Sequence, residues 1–322
     1  MAVKFASTLA IMASLAAVLM VSGCIGTTTT GLGNGVRILD FQADFPQGVY
    51  SGDTLQLMLR VQNQGEVRAT EVEAELANID VNEWGTFGSF GFSESLGDLV
   101  PYDSATSTPG EIDTVTWGLE APELPKGTSH IYEPYVKVAY DYKTIAQKPI
   151  TLVDEDELRR LIQQGKSLTS GTTTYTAGPL TVEVRTEEFT RTSSGASGGE
   201  SYEVFPVHIK VTNTDWEAGG TVIKDGLGGY GFEEYDYPVR IKVTPPSGVM
   251  NRGFGTDACS GSFDTINLWQ GKDAEITCEF EVTNPPEYRE EKLITVELEY
   301  RYQTEASTSV MVTGTEEGFG WF

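Results

Sequence analysis

One segment of this chain occurs twice. Val136-Lys137-Val138-Ala139-Tyr140-Asp141-Tyr142-Lys143-Thr144 aligns without a gap on Val296-Glu297-Leu298-Glu299-Tyr300-Arg301-Tyr302-Gln303-Thr304. Three further matches keep the same order. Leu59-Arg60-Val61-Gln62-Asn63 is echoed by Ile209-Lys210-Val211-Thr212-Asn213. Val72, Ala74 and Leu76 are echoed by Val239, Ile241 and Val243, and Val115, Trp117 and Leu119 by Ile276, Cys278 and Phe280. Strand composition alone does not place four matches in one order, so the chain reads as two tandem copies of one plan.

The matched segments alternate apolar and polar residues with period two, as strands covered on one face do. Val36 and Ile38 open the first strand, and Leu39 and Phe41 continue it in the opposite phase. That slip predicts a bulge or a strand covered on both faces. Leu55, Leu57, Leu59 and Val61 make the next strand, and a separate last strand is expected over residues 150–153. Gly48, Ser51-Gly52 and Asn63-Gln64-Gly65 mark turns. The 35 glycines suit a turn-rich all-β chain. We therefore expect one β-sandwich over residues 36–153 and another over 174–314. Residues 154–173 would form a linker helix and loop. There Asp154 can cap the Glu157 amide and Glu157 can reach back, while Leu158, Leu161 and Ile162 form one apolar stripe and Gly165 ends the helix.

The N-terminus has Lys4, an apolar run over residues 5–21, and then Ser22-Gly23-Cys24. Leu19-Met20-Val21-Ser22-Gly23-Cys24 resembles the lipobox of a lipoprotein signal peptide. The resemblance implies that residues 1–23 are removed and that Cys24 carries a lipid. Residues 24–35 would then be a Thr/Gly spacer, and the protein would sit on the extracellular face of the cell membrane. A retained anchor needs about 20 apolar residues; this run is shorter and is interrupted by Ser7, Thr8 and Ser14. With Cys24 lipidated, Cys259 and Cys278 remain as an expected disulfide in an oxidising compartment. Zinc would want four ligands, and His130 and His208 are the chain's two histidines.

Val49-Tyr50-Ser51-Gly52-Asp53, the strand over residues 55–61, Asn63-Gln64-Gly65 and Ala69-Thr70-Glu71-Val72 resemble the start of CARDB-type and related immunoglobulin-like domains. The resemblance covers roughly residues 36–76; the second copy carries Ser201-Tyr202-Glu203 where the Tyr-Ser-Gly turn would stand. It implies two tandem immunoglobulin-like sandwiches, surface exposure and an adhesive or structural role. Such domains occur in archaeal and bacterial surface proteins, and the archaeal setting is favoured. No catalytic residues are implied.

The net charge of -25 repels phosphate backbones, so nucleic acid is not an expected partner. No cofactor or metal site is expected. A serine triad needs a base; His208 lies on the Lys210 side of its strand and His130 beside the turn Lys126-Gly127-Thr128-Ser129, both as solvent-facing positions. Gly226-Leu227-Gly228-Gly229-Tyr230-Gly231 lacks the Lys-Ser/Thr pair and following helix of a phosphate loop. Glu233-Glu234-Tyr235-Asp236-Tyr237 is the densest acidic-aromatic group, either a solvated strand approach or a contact for calcium or a glycan.

Three aromatic segments remain, each of which either packs or binds. The first is Trp84-Gly85-Thr86-Phe87-Gly88-Ser89-Phe90-Gly91-Phe92. The second runs from Trp216 to Tyr230, with Tyr235 beyond it. The third is the tail at residues 315–322, with Phe319, Trp321 and Phe322 as its docking residues. The expected function is that of a non-catalytic, membrane-anchored surface lipoprotein in envelope scaffolding, adhesion or protein–protein interaction. Its partner would be a surface protein or a glycan. Alternatives are capture of a glycan or cation, an accessory role to a surface enzyme, or a filament subunit joined by strand addition.

Overall fold

Thr54–Asn63 shows how the alternation becomes structure. Leu55, Leu57, Leu59 and Val61 are buried, while Thr54, Gln56 and Arg60 face water. The computed structural model describes residues 35–86, 91–168, 171–192, 203–224, 236–253 and 255–315. The first half contributes β1 (Val36–Ala43), β2 (Val49–Tyr50), β3 (Thr54–Asn63), β4 (Ala69–Ala77), β5 (Gly85–Thr86), β6 (Ser93–Leu99), β7 (Ile112–Glu120), β8 (Ser129–Tyr132) and β9 (Tyr135–Asp154). Helix α1 (Glu155–Gln163) follows. The second half contributes β10 (Thr174–Tyr175), β11 (Leu180–Arg185), β12 (Thr190–Thr192), β13 (Glu203–Asn213), β14 (Thr221–Ile223), β15 (Pro238–Thr244), β16 (Val249–Asn251), β17 (Asp264–Asn267), β18 (Asp273–Val282), β19 (Arg289–Ser307) and β20 (Val310–Thr313).

Strands β1-β3-β7-β5 form one four-stranded sheet, and β11-β13-β18-β16 form its counterpart. A larger sheet follows the path β17-β15-β19-β9-β4-β6, and β20 lies between β2 and β8 in a small third group. Their inward residues make one apolar core. The fold is thus all-β and sandwich-like, with one α-helix among the described residues. The phase slip in β1 is a bulge: the register shifts between Ile38 and Asp40, and Leu39 turns outward.

The alternation suggested sandwiches standing in tandem. The structure instead joins the copies edge to edge, and residues 31–322 cluster as a single unit. Strands β9 and β19 pair from Tyr135↔Ser307 to Val153↔Arg289. Tyr140 faces Tyr302, Tyr142 faces Tyr300, and Asp141 faces Arg301. Asp141 and Arg301 are also the same position in the two copies, so a pseudo-two-fold axis passes between them. This is an isologous interface, the kind that closes symmetric dimers, built inside one chain. The register continues through Tyr132↔Val310 and Ser129↔Thr313. At one end β20 adds in parallel to β2, and at the other the end of β9 adds in parallel to β12. Each half is completed by the last strand of the other, as in a domain swap.

Residues 136–142 and 150–153 are not separate strands but parts of β9. Thr144, Ala146 and Lys148 carry the buried phase between them. Small and polar residues hid that continuity from a hydrophobicity count. In α1, the Asp154 carboxylate accepts from the Asp156 amide at 3.0 Å, and Glu157 binds Arg160 at 2.7 Å instead of reaching back. Leu158 and Leu161 are buried but Ile162 is exposed, so the apolar stripe is narrower than expected.

Four tyrosines surround the pseudo-axis on the inner face. Ring centroids lie 5.9 Å apart for Tyr140–Tyr142 and Tyr140–Tyr302, 6.1 Å for Tyr142–Tyr300 and 6.3 Å for Tyr300–Tyr302. Burial pushes all four phenols above their ordinary range. Tyr142 Oη donates to the Ala177 carbonyl at 2.8 Å, Tyr302 Oη donates to Asn213 Oδ1 at 2.8 Å, and Tyr300 Oη and Thr144 Oγ1 share a bond of 2.8 Å.

The outer face sets the register by charge. Arg301 reaches Glu73 at 2.9 Å, Asp141 at 3.0 Å and Glu71 at 3.9 Å. Glu299 is held by Arg240 at 2.7 Å and Lys143 at 2.8 Å, and Lys242 binds Glu297 at 2.9 Å. Opposite charges on neighbouring strands make any slip unfavourable.

Removing the guanidinium would leave Asp141 and Glu73 facing each other beside the buried ladder. Arg301→Met should lower the unfolding free energy by about 2 kcal/mol at neutral pH; Glu71 and Glu73 are largely exposed, which limits the loss. Burial already raises the Asp141 carboxyl pKa, against the pull of Arg301. A raised carboxyl binds its proton in the folded state first, so protonation relieves the folded state as pH falls. The deficit of Arg301→Met should therefore narrow in the acid range. Urea titrations at neutral and acid pH measure it, and a widening deficit would contradict this account of the ladder.

Candidate functional site

The connection that carries the chain from β17 in the large sheet to β18 in the second half's four-stranded sheet turns at Trp269-Gln270-Gly271-Lys272. Gln270 and Gly271 have φ of 51° and 72°, and the Lys272 amide donates to the Trp269 carbonyl at 3.0 Å. Two positive φ values in a closed turn define type I′. The Trp269 amide donates across to Asp273 at 2.7 Å, and its side chain stands 73% exposed.

Two more aromatic rings close on this tip. A Cβ at Gly271 would lie 3.2 Å from the Trp216 ring and 3.3 Å from Tyr237. Glycine thus serves both the turn and the close approach. Trp216 sits on a single 3₁₀ turn over Trp216–Ala218, is 37% exposed, and has the Lys272 ammonium 5.1 Å from its ring centroid. The Tyr237 amide donates to Asn267 Oδ1 at 2.8 Å.

Asn213, buried at the end of β13, ties these parts together. Its Nδ2 donates to the Gly220 and Gly271 carbonyls, both at 3.0 Å. Its Oδ1 accepts from the Asp215 amide at 3.2 Å and from Tyr302 Oη. The first copy repeats the device: Asn63 Nδ2 donates to Val67 and Leu99, and its Oδ1 accepts from the Gly65 amide. In the second copy the device carries aromatic residues on both segments it joins. Burial raises the Asp215 carboxyl pKa, and Arg37 of the first half draws it back.

The tip lies near the start of the described chain. Gly35 packs on Pro179, where a Cβ would lie 3.0 Å from the ring. The Pro179 carbonyl accepts from the Thr214 amide at 3.0 Å, two residues before Trp216.

Trp216 is thus brought to an exposed aromatic surface, but Trp84 and Phe92 of the first aromatic segment are not. Trp84 is buried, with its ring 5.0 Å edge-on from Tyr132, which in turn meets His130 at 4.6 Å. Phe92 is half-buried against the core, and its carbonyl accepts from Leu76 at 2.7 Å. Both are packing residues: Trp84, just before β5, meets Tyr132 of β8, and Phe92, just before β6, packs on the core. Phe87, Phe90, Tyr230, Tyr235, Phe319, Trp321, Phe322 and Cys24 lie outside the described residues, as do residues 1–23. Trp269 was missed in the sequence; a tryptophan directly before Gln-Gly, a residue pair suited to a tight turn, was its signal.

His208 is exposed and shares a 2.9 Å hydrogen bond with Thr277. Among the described residues, no group of three His, Cys, Asp or Glu side chains is placed to hold a metal. Cys259 and Cys278 form the expected disulfide, with both residues buried. Cys278 stands where the first copy has Trp117, which packs edge-on to Phe41 at 6.4 Å. The bridge, with buried Ala258, fills the place of that indole.

No protein-family model matches this chain, and no curated protein matches it. Among solved structures it is similar to Escherichia coli alpha-2-macroglobulin activated by porcine elastase, at 8% identity and a TM-score of 0.20. The match covers 87% of this chain and 32% of that one, so this chain spans about a third of the larger protein. A likeness of that size carries no argument about fold or function.

The disulfide closes a loop with a sequence separation of 19. Cys278→Ala together with Cys259→Ala should cost about 3 kcal/mol of stability in the chain-entropy view, and wild-type protein in reductant should melt at a similarly lowered temperature. Calorimetry with and without dithiothreitol makes the comparison. Equal melting temperatures would show that the bridge fills space without constraining the unfolded chain.

Proposed function

We propose that this protein is a non-catalytic, lipid-anchored surface protein acting through contacts, with the Trp269 tip of the second half as its contact surface. The observation that carries this reading is a tryptophan 73% exposed on a rigid turn that is pinned to the core through Asn213. A preorganised aromatic residue loses little freedom on binding, and tryptophan is enriched among residues that dominate interface energies. Trp216, Tyr237 and Lys272 extend the surface. An apolar tip with one cation suits a partner that presents an apolar pocket or a carbohydrate face.

In this reading the chain is a lipoprotein whose leader ends before Cys24, and its copies are CARDB-like, immunoglobulin-like units fused through a shared sheet. Gly35, the first described residue, lies close to the segment bearing Trp216. That placement favours a component of the cell's own envelope as partner, and hence scaffolding over adhesion to another cell.

Purified wild-type protein and Trp269→Ala should be compared for binding to envelope preparations and to isolated envelope glycans. The variant should lose at least tenfold in affinity with its melting temperature unchanged, since the side chain is exposed. Equal binding by both proteins would remove the tip from the function. A hydrolytic activity abolished by substituting one acidic pair would overturn the non-catalytic reading itself.

A further inference from the structure

A tryptophan that projects from a rigid turn can enter a pocket of another protein, dip into lipid or stack on a sugar. The groups around it decide between these. Leu268 is fully buried and seats the segment. Asn267 and Gln270, one before Trp269 along the chain and one after it, are both exposed. The Asn267 carboxamide is held in place, because its Oδ1 accepts from the Tyr237 amide at 2.8 Å. Lys272 is exposed as well, with its ammonium 5.1 Å from the centroid of the Trp216 ring. The indole is therefore ringed by two carboxamides, which both donate and accept, and by an ammonium, which donates.

A protein pocket deep enough to take the indole would bury these polar groups too. Each would then need a matched partner, and lysine and acidic residues are depleted from interface cores for that reason. Hydrocarbon offers no partners at all. A hexopyranose ring supplies both halves of the match: a face of C–H groups for the indole, and a rim of hydroxyls that donate and accept. We propose that the tip binds neutral glycan, with one sugar ring stacked on Trp269 and its hydroxyls bonded to Asn267, Gln270 and Lys272. This assignment rests on the reading of the tip as the contact surface and names the chemistry that surface takes. The net charge of -25 disfavours an acidic glycan. Trp216 is the lesser platform, because its ring lies against Gly271 and beneath Lys272, and it suits the next sugar of a chain. Stacking on an exposed ring is a small gain, so the parts must already be in place. Here the Lys272 amide closes the turn on the Trp269 carbonyl and Asn213 holds Gly271, which leaves little ordering cost on binding.

The test reads Trp269-dependent binding, the difference between the wild-type chain and Trp269→Ala on immobilised envelope preparations. Three competitors are compared: untreated envelopes, envelopes oxidised with periodate and reduced with borohydride, and a complete protease digest of envelopes with the protease then inactivated. Periodate cleaves the vicinal diols of sugars and leaves peptide bonds intact, and protease does the reverse. The digest should compete as untreated envelopes do, whereas about tenfold more of the periodate-treated material should be needed, as for loss of a binding hot spot. Gln270→Gly keeps the φ of 51° accessible and removes the carboxamide; it should bind envelopes several-fold more weakly with its melting temperature unchanged. Wild-type binding by Gln270→Gly would overturn the hydroxyl pairing. Competition lost on proteolysis but untouched by periodate would overturn the proposal in favour of a protein, and competition that survives both treatments in favour of a lipid. Equal binding of untreated envelopes by wild type and Trp269→Ala would instead remove the contact surface itself, before either treatment is read.

Discussion

The antiparallel ladder between β9 and β19 is the interaction on which the rest of the structure depends. It turns two copies of one plan into a single sheet, and its register places equivalent residues across a pseudo-two-fold axis. In a dimer of identical chains, the residue on such an axis faces itself, and a charge there repels its own copy. Within one chain the two positions can diverge. Here they are Asp141 and Arg301, 3.0 Å apart. The axis that would be weakest in a symmetric dimer is therefore an ion pair, and the flanking tyrosines seal its inner side. Because both halves belong to one chain, closure carries no concentration dependence.

The same symmetry makes the differences between the halves informative. Asn63 and Asn213 do the same work at the ends of β3 and β13, each satisfying two carbonyls and an amide that would otherwise be buried without partners. The first half keeps its large indoles inside, with Trp84 on Tyr132 and Trp117 on Phe41. The second half has a disulfide where Trp117 would stand and places Trp216 and Trp269 at the surface. A core that needs neither indole inside leaves both for contact, and the bridge stiffens the sheet behind them.

Much of this architecture was legible in the sequence. The gapless match around Tyr140 and Tyr300 announced the repeat, the phase slip at Ile38-Leu39 announced a bulge, and cysteine parity announced the bridge. What alternation could not show is which strand a strand pairs with. Val136 to Thr144 reads equally well as the edge of an isolated sandwich or as half of a shared ladder, because both bury the same face. Continuity through Thr144, Ala146 and Lys148 was hidden by their polarity and size. Trp84 looked like a binding residue because its neighbours are glycines, yet a neighbouring sheet covers it. Trp269 looked ordinary because exposure at a tight turn depends on the geometry of Gln270 and Gly271, and Gln-Gly marks such a turn less strongly than Asn-Gly or Asp-Gly would.

Strand exchange also decides what the surface can do. In a simple tandem array, each half would own its edges and the chain could bend at residues 154–173. Here the end of β9 is held by β12 and β19, and β20 is held by β2 and β8. Bending the halves apart would break ladder bonds at both poles and the ion-paired sheet between them, a cooperative cost that thermal motion does not meet. Loops and tips mounted on such a frame keep fixed distances from one another. The aromatic tip beside Asn213 is therefore held at a fixed place on the fused frame. That property suits the structural role proposed above better than it would suit a sensor that must move.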